Sequence, residues 1–210
     1  MPVDTLKTIT QAGKGVLTEK GSRFFSFSFP VSDMHEITGK RKAVREEHPY
    51  ATHHCFAWRV NPFHPEEFAQ DDGEPGGTAG VPILGVIKSE ELINVLIIVV
   101  RYFGGTKLGK AGLIQSYRES ALRSVQHSGK KTLGLYSGFR IEYPYDQENR
   151  IREMMNRFNM KKQDELYLET VTITVRCPFE HTDDLQSMLE HHSYLGIEFK
   201  RKEDRYLPVT

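Results

Sequence analysis

Asp71-Asp72-Gly73-Glu74 puts three carboxylates within four residues, and Pro75-Gly76-Gly77-Thr78-Ala79-Gly80 follows directly. Hard cations take oxygen ligands, so such a cluster can hold Mg²⁺. Carboxylates whose pKa values are pushed apart by burial can instead divide acid and base work. The glycines behind them let backbone N–H groups face an anion. Asp, Gly and Pro are equally the residues of a tight turn, and that reading stands beside the chemical ones.

A second segment, Arg101-Tyr102-Phe103-Gly104-Gly105-Thr106-Lys107-Leu108-Gly109-Lys110-Ala111-Gly112, follows an apolar strand pattern and opens a helical one. That is where an anion is held, because helix N–H groups and the helix dipole point at it. Gly104 to Lys110 spells G-x-x-x-x-G-K, but Ala111 stands where a nucleotide-hydrolase loop needs Ser or Thr for Mg²⁺, so ATP hydrolysis by this loop is rejected. Phosphate binding survives. Arg101, Lys107 and Lys110 add positive charge, and Tyr102 and Phe103 offer faces for stacking, a combination suited to RNA or a nucleotide. The plainer reading makes the two aromatics core residues and the glycines close-packing devices.

Thr52-His53-His54-Cys55 is the third. A strand sends His53 and Cys55 to one face and His54 to the other, so the three do not converge on one metal. Satisfied interior histidines are the simpler expectation. Cys55 lacks an activating arrangement beyond its histidine neighbours. His191-His192 reads as solvated.

The elements that must position these groups alternate. Phe25, Phe27 and Phe29 recur at period two in a strand ending at Pro30. Ser32-Asp33 offers an N-cap for a polar helix toward His48. Residues 51–60 alternate as a second strand, 62–80 read as loop, 92–100 as a buried strand, and 112–125 as a helix ended by Ser128-Gly129. A domain boundary is placed at 132/133, giving domains 1–132 and 133–210. The rest reads strand 139–143, helix 146–157, strand 160–168, strand 170–177, helix 182–192, strand 194–202, the ferredoxin-like order βαββαβ. Asp146 and Thr182 are its expected caps.

The 210 residues carry 28 basic and 28 acidic side chains, which excludes an all-over basic coat for nucleic acid. Charge is nonetheless segregated: residues 61–91 hold seven carboxylates against Lys88, and residues 101–131 hold seven cations against Glu119. Two cysteines, Cys55 and Cys177, make neither a disulfide framework nor a four-cysteine zinc site, and fit free thiols in a cytoplasmic protein. The apolar window 92–100 falls far short of the ~20 residues of a membrane helix.

Glu19-Lys20-Gly21-Ser22-Arg23-Phe24, Ala51-Thr52-His53-His54-Cys55, Asp71-Asp72-Gly73-Glu74-Pro75 with Gly77-Thr78-Ala79-Gly80, and Val100-Arg101-Tyr102-Phe103-Gly104-Gly105 with Leu108-Gly109 and Ala111-Gly112-Leu113 together resemble the YigZ/IMPACT family. The four motifs occur in the family's order across residues ~15–125. The remainder resembles the small C-terminal domain of bacterial members by its order of elements. The resemblance implies an α+β protein. Its first domain would be like the second domain of ribosomal protein S-five, and its second like a ferredoxin-like elongation-factor domain. It also implies a cytoplasmic protein linked to RNA, the ribosome or translation; no particular chemical reaction follows from it. The starvation-response role of eukaryotic members rests on a different N-terminal domain and is not carried over. The matching residues are Ser22, His53, Asp71, Asp72, Glu74, Thr78, Arg101, Tyr102, Phe103, Gly104, Gly105 and Gly109; the family pattern does not demand Lys110.

The leading expectation is a non-enzymatic RNA- or ribosome-binding regulator of translation without a cofactor. Arg101, Lys107, Lys110 and Arg118 would contact phosphate, Tyr102 or Phe103 would stack, and Asp71, Asp72 and Glu74 would orient the arginine. Its rival is a Mg²⁺-dependent enzyme acting on a small phosphorylated or nucleotide substrate, with Asp72 and Glu74 on the metal. A protein-interaction module docking through the acidic loop is the third.

Overall fold

The computed structural model describes residues 4–209, which form two units. Residues from Leu6 to Thr132 make the first; residues from Leu133 onward, with Asp4 and Thr5, make the second. The element order is β1 (Thr5–Ile9), β2 (Gly13–Glu19), β3 (Ser22–Pro30), α1 (Met34–Glu47), β4 (His53–Val60), β5 (Glu66–Gln70), α2 (Gly80–Ser89), β6 (Val95–Tyr102) and α3 (Gly109–Ser128). It continues as β7 (Lys130–Tyr143), α4 (Glu148–Arg157), β8 (Lys161–Tyr167), β9 (Val171–Pro178), α5 (Thr182–His191) and β10 (Glu198–Pro208). The fold is mixed α+β.

In the first unit the sheet runs β2-β3-β6-β4-β5 with every pairing antiparallel. Helices cover both faces, which explains why β6 is apolar without alternation. One face sends Phe24, Cys55, Ala57, Ile97 and Val99 against α2 and α3. The other sends Phe27, Phe56, Trp58, Leu96 and Ile98 against Ile37 and Val44 of α1, with Phe25 and Phe29 packed alongside. The period-two phenylalanines therefore share a face, as their spacing predicts. Between them, Ser26 and Ser28 donate to the carbonyls of Ser120 and Ser124, so α3 lies close on β3. Asp33 caps α1 by accepting from the Glu36 N–H at 2.9 Å, and Glu36 accepts in return from the Ser32 N–H.

Two elements depart from the sequence reading. The stretch expected as loop contains β5, whose side chains are mostly exposed; its order comes from backbone pairing with β4, which leaves no apolar period to read. Helix α2 forms where the sequence pattern marks no element. Its sequence GVPILGVIKS is apolar nearly all round and has a proline in its first turn, the signature of a buried helix.

In the second unit β7 pairs with β10 on one side and β9 on the other, and β8 pairs with β9, all antiparallel. This is the βαββαβ order read from the pattern. β7 begins at Lys130, nine residues before the expected strand, since Gly134 and Gly138 lie inside it. An added Cβ on Gly138 would stand 2.7 Å from the Arg176 guanidinium, so the glycine makes room for a packed arginine rather than a turn. The expected caps also differ: Asp146 lies in a 3₁₀ turn preceding α4, and Thr182 is already helical and donates to Ser137 Oγ at 2.8 Å. No helix among the described residues is long and apolar enough to cross a membrane.

Candidate functional site

The three carboxylates of the acidic loop point to three different places. The loop turns sharply at Asp72 and Gly73, both with positive φ. Asp71 accepts from the N–H groups of Gly77, Ala79 and Gly80 at 2.8–2.9 Å and so caps α2 from nine residues upstream. Asp72 accepts from the His54 N–H at 2.7 Å and pairs with Arg45 of α1, while its carbonyl accepts from His53 Nδ1. Glu74 turns to the opposite face of the sheet, where Oε1 accepts from Arg101 Nη1 at 2.7 Å and from the Tyr117 hydroxyl at 2.8 Å.

Only Glu74 therefore orients Arg101; Asp71 and Asp72 are engaged elsewhere, contrary to the expectation that all three would. Asp72 and Glu74 lie toward α1 and α3 respectively, so they do not form the shared oxygen set that the Mg²⁺ reading requires. Among the described residues no three His, Cys, Asp or Glu groups are placed to hold a metal ion. Thr78 donates to the Pro75 carbonyl and stabilises the turn.

The Glu74–Arg101 pair is buried, with side chains 3% and 6% exposed. Ser22 Oγ accepts from Arg101 Nη2 at 3.3 Å and from the Gly104 N–H at 3.2 Å, tying β3 to the glycine turn. His53 Nε2 stands 3.8 Å from Glu74 Oε1, too far for a hydrogen bond. Cys55 Sγ lies 3.3 Å from the Tyr117 hydroxyl. Burial pushes both the Cys55 thiol and the Tyr117 phenol well above their ordinary pKa values, so neither supplies an anionic nucleophile near neutral pH. Tyr117 escaped the sequence reading. Its signal was a tyrosine on the apolar stripe of α3, where a buried hydroxyl must find an acceptor.

Over this buried pair lies a pocket of about 370 Å³. Phe103, Leu108 and Leu113 make its apolar wall, and Lys107, Gly109 and Lys110 bring in the start of α3. Leu108, the N-cap, has no side-chain acceptor for the first-turn amides. Phe103 is 48% exposed, with the Arg101 guanidinium carbon 5.4 Å from its ring centre. Neither Lys107 nor Lys110 has an ion-pair partner among the described residues.

Several expected contacts fall outside this pocket. Tyr102 lies on the opposite face of the sheet, where its hydroxyl bonds His48 Nδ1 at 3.0 Å and its ring packs edge-on to Phe25, so of the two aromatics only Phe103 lines the pocket. Arg118 is exposed further along α3 and does not line the pocket. Arg101 is a wall of the pocket bonded to Glu74 and Ser22 rather than an open cation. Gly104 and Gly105 shape the turn: Gly104 presses on the Gly21 backbone and Gly105 takes φ +85°.

The Asp71 cap carries its own pH dependence. Burial alone would raise its carboxyl, but the N–H groups of Gly77, Gly80 and Ala79 together outweigh this and hold its pKa below the ordinary value. A lowered folded pKa means stability present above the unfolded value near ~3.9 and lost as pH falls through the folded value. Asp71→Ala is expected to cost about 1–2 kcal/mol near neutrality, with a smaller loss between pH 5 and 2 than the parent shows. Urea unfolding at a series of pH values measures both.

The family described as the Impact N-terminal domain matches residues 20–125. IMPACT family member YvyE of Bacillus subtilis is 38% identical over 58% of this chain and 56% of its own length, so the match spans little more than half of that relative. IMPACT family member YigZ of Escherichia coli is 30% identical over 83% of this chain and 86% of its own. An IMPACT family member of Thermus thermophilus is 32% identical over 75% and 84%. A crystal structure described only as a hypothetical protein superposes with TM-score 0.67 at 24% identity, over 96% of this chain and 98% of that one, and shares the fold. With the four motifs gathered in one unit and a family match across that unit, the chain belongs to the IMPACT family.

Proposed function

We propose that this protein binds RNA through the glycine turn and the start of α3, as a non-enzymatic factor acting on translation. The observation that carries this reading is the pocket beneath Phe103: an exposed aromatic face beside two lysines without ion-pair partners and an uncapped helix start. An unstacked base lies against an aromatic ring, while its phosphate meets lysine charge and helix amides. The buried Glu74–Arg101–Ser22 set holds the turn in shape and meets no phosphate itself. Translation enters from the family resemblance, and cytoplasmic location and a ribosomal partner are part of the same proposal.

The test is single-stranded RNA binding across a salt series, followed by co-sedimentation with ribosomes. Lys107→Gln/Lys110→Gln is expected to lower the slope of log affinity against log salt by about 1.4, two contacts at ~0.7 each. Phe103→Ala is expected to weaken binding by about 1–3 kcal/mol with the slope unchanged. Affinity and slope that ignore both variants would refute the assignment.

A further inference from the structure

Helix α1 carries a basic stripe beside the row it turns to the sheet. Thr38, Arg41, Lys42 and Arg45 recur at i, i+3, i+4 and i+7, one face of a helix, and line a pocket of about 260 Å³ with His54, Phe56 and Ile98. This pocket lies on the α1 side of the sheet; the Phe103 pocket lies on the α3 side.

The charges in it do not balance. Arg45 pairs with Asp72 at 3.2 Å, and Lys42 reaches the exposed Glu46 only at 3.9 Å. Arg41 makes no ion pair among the described residues and lies instead with its guanidinium carbon 3.8 Å from the Phe56 ring centre. Ile37 and Val44, its neighbours on the sheet-facing row, are fully buried, so Arg41 occupies a position an apolar side chain would fill at less cost. Burial, then the nearby Arg45 charge, lowers its pKa from the ordinary value, the mark of a partly desolvated cation short of negative charge. His54 is likewise lowered, by burial first and Arg45 next, and its Nε2 bonds the His48 carbonyl, so the ring adds no neutralising group.

We propose that this pocket is a binding site for a small, multiply charged phosphate anion of the diphosphate class, held by Arg41, Lys42 and Arg45. A guanidinium fork matches tetrahedral phosphate oxygens, and three cations against two carboxylates, Asp72 and the exposed Glu46, leave positive charge for an anion to meet. The volume exceeds what a lone carboxylate fills and accommodates two linked phosphoryl groups. Phe56 and Ile98 form the apolar floor beneath the charged contacts. The site is independent of the RNA reading, since none of its residues lines the Phe103 pocket.

Isothermal titration of the full chain with inorganic pyrophosphate tests it, with sodium sulfate at matched ionic strength as the comparison. Saturable pyrophosphate binding is expected, weakened at least about tenfold in Arg41→Gln and in the more exposed Lys42→Gln, with sulfate unable to compete. Lys42→Gln keeps the test decisive should Arg41→Gln fail to fold. Absence of saturable binding by the parent chain, binding by both variants as tight as the parent's, or equal displacement by sulfate would each overturn the proposal. It would also be overturned if a single-stranded RNA competes with pyrophosphate and itself loses affinity in Lys42→Gln, since the pocket would then belong to an RNA surface.

Discussion

Glu74→Ala is expected to destabilise the first unit by about 3–5 kcal/mol, because it leaves the Arg101 guanidinium buried without its carboxylate. The same change strips the Tyr117 hydroxyl of its acceptor, so two donors lose a partner at once. Trp58 is the chain's single tryptophan and lies in β4, so its fluorescence during urea unfolding reports this unit without confusion from the other. Replacing the pair together, as Glu74→Leu/Arg101→Met, is expected to recover much of the loss, since a buried ion pair gains little over a packed apolar pair. If the single variant proved as stable as the parent, the buried pair would not be holding the glycine turn in place.

Gly104→Ala is expected to cost about 3 kcal/mol or more by the same measurement. Its Cβ would stand 1.9 Å from the Gly21 carbonyl carbon and 2.3 Å from the Ser22 nitrogen. These are backbone atoms, which no change of rotamer can move aside. Separating the two segments would also break the bonds from the Gly104 N–H and Arg101 to Ser22 Oγ. Gly105→Ala makes the contrast: nothing lies within 4 Å of its Cβ, and only the φ of +85° penalises it, by about 1–2 kcal/mol. A cost at Gly104 no larger than at Gly105 would show that the two segments can move apart and that the close backbone approach does not make Gly104 necessary.

Much of the architecture was legible in the chain because it is written locally. Alternating phenylalanines in β3, Asp33 before α1, Gly129 after α3 and the βαββαβ rhythm of the second unit each need only neighbours within a few residues. β5 escaped because an edge strand held by backbone bonds needs no side-chain period. α2 escaped because its exposed face is itself largely uncharged, with Val81 and Gly85 on it, so no polar side marks the helical period. The candidate site was legible in its residue types and not in its pairings. Ser22, His53, Glu74 and Arg101 do meet, yet nothing in Asp71-Asp72-Gly73-Glu74 tells which carboxylate reaches the arginine 27 positions after Glu74. Positive φ at Asp72 and Gly73 sends successive side chains to opposite faces of the sheet, and the elements packed there choose their partners: α2 takes Asp71, α1 takes Asp72, and α3 with β6 takes Glu74. The sequence by itself determined which segments supply the charged, hydroxyl and aromatic groups of the candidate site, because residue type and short-range pattern are local. Only the tertiary structure decided which charges meet, because that depends on where helices dock on a sheet and therefore on contacts between residues far apart in the chain.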